Sequence, residues 1–144
     1  MGEFYSPYGW QGSKYQEVRK QGLSTTDIAK LIRNDIKKKF PKVKASVRTQ
    51  YFAGGSAIDV YIKDAPFNPI NPKWNPKDWS ATLIQNPRYT KQGSKLLKDI
   101  EKLGQKYQLH DVDSMTDYFN VSFYLDVKYD YDSEREWIRK MLIK

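Results

Sequence analysis

The sequence predicts an α+β fold. An antiparallel sheet of three or more strands carries amphipathic helices on one face, in the order α-β-β, a Pro-rich insertion with a second helix, then β and α. Three observations predict it. Two strand-period runs flank Gly54-Gly55; two Lys-rich segments repeat apolar residues at helical spacing; and the chain from Phe119 to Tyr129 alternates strictly between apolar and polar residues. Sequential strands joined by a tight turn pair with each other, and amphipathic helices must cover the apolar face that results.

The first 22 residues mix Phe4, Tyr5, Tyr8, Trp10 and Tyr15 with Pro7, Gly9, Gly12 and Gly22. This aromatic N-terminal extension is too punctuated for a helix, and its rings suit docking onto the domain or a partner. Ser24-Thr-Thr-Asp27 has capping-box spacing, with Asp in the closing position, and opens a helix whose Ile28, Leu31, Ile32, Ile36 and Phe40 share one face. Pro41 stops it. Lys30, Arg33, Lys37, Lys38 and Lys39 fall outside the apolar stripe, the last three where cations complement the negative end of the helix dipole.

Next, Val43, Ala45, Val47, Thr49 and Tyr51 alternate with Lys44, Ser46, Arg48, Gln50 and Phe52, while Ile58, Val60 and Ile62 alternate with Asp59, Tyr61 and Lys63. One face of this hairpin packs and the other is offered to a partner. Gly54 and Gly55 supply the positive φ of its loop. From Asp64 to Pro87 the prolines Pro66, Pro69, Pro72, Pro76 and Pro87 forbid regular helix and central strand, and Trp74 and Trp79 mark this as an ordered excursion rather than a tether.

Thr90 caps a second helix striped by Leu96, Leu97, Ile100, Leu103 and Tyr107, with Lys91, Lys95, Lys98 and Lys102 opposite and Gly104 fraying its end. Phe119, Val121, Phe123, Leu125, Val127 and Tyr129 line one face of a single long strand. Ser133-Glu-Arg-Glu136 is a further capping box, opening a last helix that buries Trp137, Ile138, Met141 and Leu142. Without the insertion this order is topologically similar to the double-stranded-RNA-binding domain. The last helix, however, begins with Glu134 and Glu136 where such domains place phosphate-binding cations.

At 144 residues the chain is most simply one domain. Lys and Arg number 25 against 17 Asp and Glu, and the net charge of +8 favours a polyanionic or acidic-surface partner. Cysteine is absent, which excludes a disulfide framework and thiolate metal sites and suits a reducing cytoplasm. No run approaches the roughly 18 apolar residues of a membrane span, and the start lacks a basic and an apolar leader region, so a cytosolic protein without membrane partners is expected.

His110 stands beside Asp111 and Asp113, with Asp117 close behind, and a metal-dependent nuclease can be built on these carboxylates as an alternative. A hydrolytic metal site asks for more, namely several ligands converging from different elements. In a loop before a strand such Asp residues serve as turn formers. Gly54-Gly-Ser56 joins two strands, lacks phosphate-loop spacing, and no nucleophile elbow appears. The expectation is a non-catalytic protein with neither cofactor nor metal. Its candidate binding residues are Lys37, Lys38, Lys39, Lys42, Lys44, Arg48, Tyr61 and Lys63, with Trp74 and Trp79 of the excursion: cations beside an exposed ring suit phosphate contact with stacking, or an acidic groove on another protein.

Ser46-Val-Arg48, followed by Gly54-Gly-Ser56 and Ile58-Asp-Val60, carries a family resemblance. The run from Ser24 to Asp64, and more weakly His110 to Phe119, resembles a large polyvalent protein-associated domain of the type-29 kind, a module of phage and conjugative-plasmid proteins. That resemblance covers about a third of the chain and implies a mobile-element setting with an accessory role beside DNA transfer or host defence. It implies no catalytic residue. Taken with the charge, it implies stoichiometric binding in the host bacterial cytoplasm, foremost as an anti-CRISPR or anti-restriction inhibitor of a host defence nuclease complex. The alternative is a DNA- or RNA-binding accessory protein of phage or plasmid replication and transfer.

Overall fold

The computed structural model describes residues 4–6, 9–75, 86–113 and 118–142. Trp79 and Asp117 lie outside the described residues. Strands β1 (Phe4–Ser6) and β2 (Gly9–Gln11) lead to α1 (Tyr15–Gln21) and α2 (Thr25–Lys39). The hairpin β3 (Lys44–Phe52) and β4 (Gly55–Asp64) follows, then α3 (Lys91–Gln105), β5 (Leu109–Asp113), β6 (Tyr118–Val121), β7 (Tyr124–Tyr129) and α4 (Tyr131–Leu142). The fold is α+β, as expected.

The strands form two sheets, ordered β1-β2-β5-β6 and β3-β4-β7. In the second, β3 and β4 pair antiparallel from Phe52↔Gly55 down to Ala45↔Ile62, whereas β7 lies parallel to β4. A parallel neighbour needs a long crossover, and the excursion, α3, β5 and β6 together make it. The sheet is therefore mixed, and the likeness to the double-stranded-RNA-binding domain does not extend to its strand directions.

Central strand β4 has the burial rhythm of period two. Ile58, Val60 and Ile62 are fully buried beneath α2, with α3 alongside it against β7. Helix α2 contributes Ile28, Ile32 and Ile36, and α3 contributes Leu96, Ile100 and Leu103, to one apolar cluster with these strand residues. Ends are pinned by polar contacts. Ser24 Oγ accepts from Asp27 N at 3.1 Å while Ser24 N donates to Asp27 Oδ2 at 3.0 Å, the expected capping box, and these bonds hold the Asp27 carboxyl below its usual range. Thr26 N donates to Tyr51 Oη at 3.1 Å, and Arg33 Nη2 reaches Val47 O at 2.9 Å, tying the helix to β3 at both levels. Thr90 Oγ1 accepts from Gly93 N at 3.0 Å, as its capping role requires.

Several expectations change. Residues 15–21 are helical: Tyr15 to Gln21 is a run of competent helix formers between two glycines, and Gly22 ends it at φ 65. Of the two loop glycines Gly54 has positive φ, at 90, whereas Gly55 does not and already belongs to β4. Gly104 does not fray α3. It is buried within the helix, where a Cβ would stand 2.6 Å from Leu125 Cδ2. The long strand expected from Phe119 to Tyr129 is two strands in different sheets. Phe123 is fully buried at the break, its carbonyl accepts from Gln108 Nε2 at 2.5 Å, and Ser122 N donates to Leu109 O at 2.9 Å. Alternation persists across the break because both halves are strands.

The last helix is capped by Asp130, whose Oδ2 accepts from Ser133 N at 3.3 Å, and not by Ser133. Trp137 is buried and Ile138 and Met141 pack on the core, but Leu142 is 67% exposed. The two ends of the excursion are sewn together. Ile70 bridges Tyr89, Asn71 N donates to Arg88 O at 2.8 Å, and Thr90 N donates to Pro69 O at 2.9 Å.

Two predictions follow from this packing. Gly93 in the first turn of α3 lies against Pro69, where an added Cβ would fall 2.9 Å from both Cβ and O of that residue. A proline ring and a backbone oxygen yield little, so Gly93→Ala should lower stability by about 1–3 kcal/mol in denaturant titration. Burial foremost raises the hydroxyls of Tyr89, Tyr107 and Tyr129 above the ordinary tyrosine range, helped at Tyr89 by Glu134 and at Tyr107 by Asp35. A group raised on folding contributes stability that is complete below its unfolded value, near 10, and is lost as pH rises through its folded value. The melting temperature should therefore hold to about pH 9 and fall above about pH 10, less steeply in Tyr129→Phe.

Candidate functional site

The helices lie on one side of the β3-β4-β7 sheet, so the opposite side of its strands is uncovered among the described residues. Strand alternation places Ser46, Arg48, Gln50 and Phe52 of β3, Ala57, Asp59 and Tyr61 of β4, and Tyr124, Asp126 and Lys128 of β7 on that side. Register then arranges them in rows. Ser46, Tyr61 and Lys128 form one row, Arg48, Asp59 and Asp126 the next, and Gln50, Ala57 and Tyr124 the third.

The face is graded along the strands. At its basic end the Arg48 guanidinium lies 5.7 Å and Lys128 Nζ 5.1 Å from the centre of the Tyr61 ring, so one half-exposed ring is held by two cations. Lys44 and Lys63 are exposed at this end, and Lys42 precedes it. Asp59 and Asp126 stand side by side in the middle row; Asp126 pairs with Lys128 at 2.9 Å, and that hydrogen bond holds the lysine above its usual range. At the far end Phe52 and Tyr124, 47% and 46% exposed, meet with ring centres 6.1 Å apart.

Of the residues singled out by sequence, Arg48 and Tyr61 come together as expected. Lys37, Lys38 and Lys39 are exposed in the last turn of α2, on the helix side of the sheet, with Lys39 Nζ 5.8 Å from the Phe40 ring. Lys128 and Tyr124 escaped sequence reasoning. Their polar-face parity was visible in the alternation, but nothing local says that β7 lies beside β4.

Trp74 belongs to a different assembly. Half-buried, it packs on the core, and Arg88 lies 4.8 Å over its ring. Arg88 also pairs through Nη2 with Glu134 Oε2 at 2.8 Å, and the buried Glu134 accepts from Tyr89 Oη. Through these contacts Glu134 locks the excursion to α4. Asp111 and Asp113 lie on strand β5, paired with β2 and β6, rather than in a loop. Among the described residues no group of three metal-ligating side chains converges, and no helix is long and apolar enough to cross a membrane.

Residues 23–79 match the family model of large polyvalent protein associated domain 29. The match agrees with the resemblance carried by Ser46-Val-Arg48, Gly54-Gly-Ser56 and Ile58-Asp-Val60, and it associates the chain with phages and mobile genetic elements. It takes in α2, β3 and β4 and ends in the excursion, so β7 and its Lys128 lie beyond it. No curated protein and no solved structure matches the chain.

Trp74→Ala should cost about 2 kcal/mol in stability, by removing core contact and the surface on which Arg88 rests. Thermal melts check the loss, and partner binding by the refolded variant at low temperature should be unchanged.

Proposed function

We propose that this protein is a non-catalytic accessory protein of a mobile genetic element that acts in the host bacterial cytoplasm by stoichiometric binding, as an anti-CRISPR or anti-restriction inhibitor. Its contact surface is the uncovered face of the β3-β4-β7 sheet with the adjoining basic turn from Lys37 to Lys44. The observation that carries the reading is the layout of that face: a ring between two cations, a carboxylate row, then two exposed aromatic rings. A mixed pattern of this kind supports a protein partner, because a protein can set a cation opposite Asp59 and Asp126 and acids opposite the basic end. The converging carboxylates of a nuclease active site are one acidic surface that the basic end can engage.

Tyr61 between Arg48 and Lys128 also favours a second reading, nucleic-acid binding in replication or transfer, since a base stacks on such a ring while the cations take phosphate. The carboxylate row counts against a strand crossing the face. Turnover is not part of either reading.

Charge reversal at Lys38, Lys42 and Arg48 should abolish capture of a purified defence nuclease complex in pull-down and leave the melting temperature nearly unchanged, as exposed substitutions do. Gel shifts with duplex DNA, single-stranded DNA and RNA run beside it. A shift by all three without capture would transfer the function to the second reading, and Mg²⁺- or Mn²⁺-dependent cleavage lost in Asp111→Ala would replace both with the nuclease.

A further inference from the structure

Strand β3 is an edge of its sheet, and an edge strand presents a row of backbone donors and acceptors to whatever can pair with it. Two features say which residues point outward. Arg33 Nη2 donates to Val47 O, which therefore faces away from β4. Independently, the two-residue loop closes at Phe52↔Gly55, and counting back in twos from that hydrogen-bonded pair gives Gln50, Arg48 and Ser46 as the residues bonded to β4. Ala45, Val47 and Thr49 thus turn their backbone groups to the free edge. Apart from the Arg33 contact, no hydrogen bond reaches that edge among the described residues.

Beside the edge runs a groove of about 290 Å³ between α2 and β3. Its floor is Ile36, Val43 and Val47, its rim carries the cations Arg33, Lys37 and Lys44, and none of its lining residues is acidic. A second copy of this chain would bring the same cations to the same edge, at a net charge of +8 each, so self-pairing is opposed by like charge. An extended acidic segment meets no such penalty: its backbone completes the ladder, alternate apolar side chains reach the floor, and its carboxylates meet the rim.

We propose that β3 captures an extended acidic segment of a partner protein by strand addition. This rests on the reading above that the partner is a protein, and adds to it the free edge of β3, which shares Lys37 and Lys44 with that surface, and a backbone mode of recognition.

The test uses the full ¹⁵N-labelled chain and the peptide acetyl-(Glu-Val)₄-amide, with acetyl-(Lys-Val)₄-amide as control. The acidic peptide should shift the Ala45, Val47 and Thr49 amides and slow the hydrogen exchange of Val47 and Thr49 at least tenfold, and the basic peptide should do neither. Thr49→Pro removes an outward N–H and no ladder bond, a placement that edge strands accept; it should abolish the effect while the β4 amides keep their native positions. Should that variant not fold, Arg33→Glu combined with Lys37→Glu should weaken the peptide at least tenfold. Absence of shifts at about 1 mM peptide, equal response to the basic peptide, shifts confined to Tyr61 and Lys128, or protection of the same amides by oligo(dT) would each overturn the proposal. Peptide failure together with loss of capture in the Lys38, Lys42 and Arg48 reversal would remove the edge site and leave the open-face reading standing. Peptide protection with that variant silent would do the reverse.

Discussion

The structure depends on the burial of one face of β4. Ile58, Val60 and Ile62 are inaccessible to solvent, and side chains of that size contribute roughly 2 kcal/mol apiece when removed from water. Because side chains alternate in a strand, fixing those three inward obliges Asp59 and Tyr61 to face the other way. The same commitment sets the helices. Their apolar stripes have one place to go, and with both on the buried side the opposite side of the sheet is left uncovered among the described residues.

β7 completes that arrangement from a distance in sequence. It arrives beside β4 only after the excursion, α3, β5 and β6, and what guides it is a set of close fits. Gly104 lets Leu125 approach α3, Gly93 lets α3 approach Pro69, and Tyr129 Oη donates to Gly93 O at 2.7 Å. Tyr129 in turn stacks edge-on against Trp137, with ring centres 5.6 Å apart, which brings α4 into the same packing. The buried Glu134 then fastens Arg88 and Tyr89 at the neck of the excursion. An acidic side chain at the start of the last helix thus serves cohesion, with Arg88 as its countercharge.

Local chemistry was the legible part of the sequence. The capping box at Ser24 and Asp27, the Thr90 cap, the stripe of α2 and the alternation of the hairpin all depend on contacts within a few residues, and the structure keeps them. Where competing local and tertiary readings existed, tertiary packing decided: Gly104 looks like a helix terminator yet serves a helix–strand contact, and Phe119 to Tyr129 reads as one strand because period two is blind to a change of sheet. Half of the candidate site was visible for the same reason. Arg48 and Tyr61 are hairpin neighbours, whereas Lys128 reaches Tyr61 only through a parallel pairing that no local pattern encodes.

That parallel pairing is the claim on which the open face stands, and the cysteine-free chain allows it to be tested directly. Parallel register sets Ala57 opposite Tyr124, at the strand spacing of about 4.8 Å that a disulfide can bridge. In the doubly substituted Ala57→Cys/Tyr124→Cys protein, mild oxidation under native conditions should give an intramolecular crosslink in nearly all molecules. Ala57→Cys/Lys128→Cys, four residues further along β7 and so more than about 13 Å away, should give none. Efficient crosslinking of the second pair in place of the first would mean that β7 runs antiparallel to β4, and that the ring between two cations does not exist.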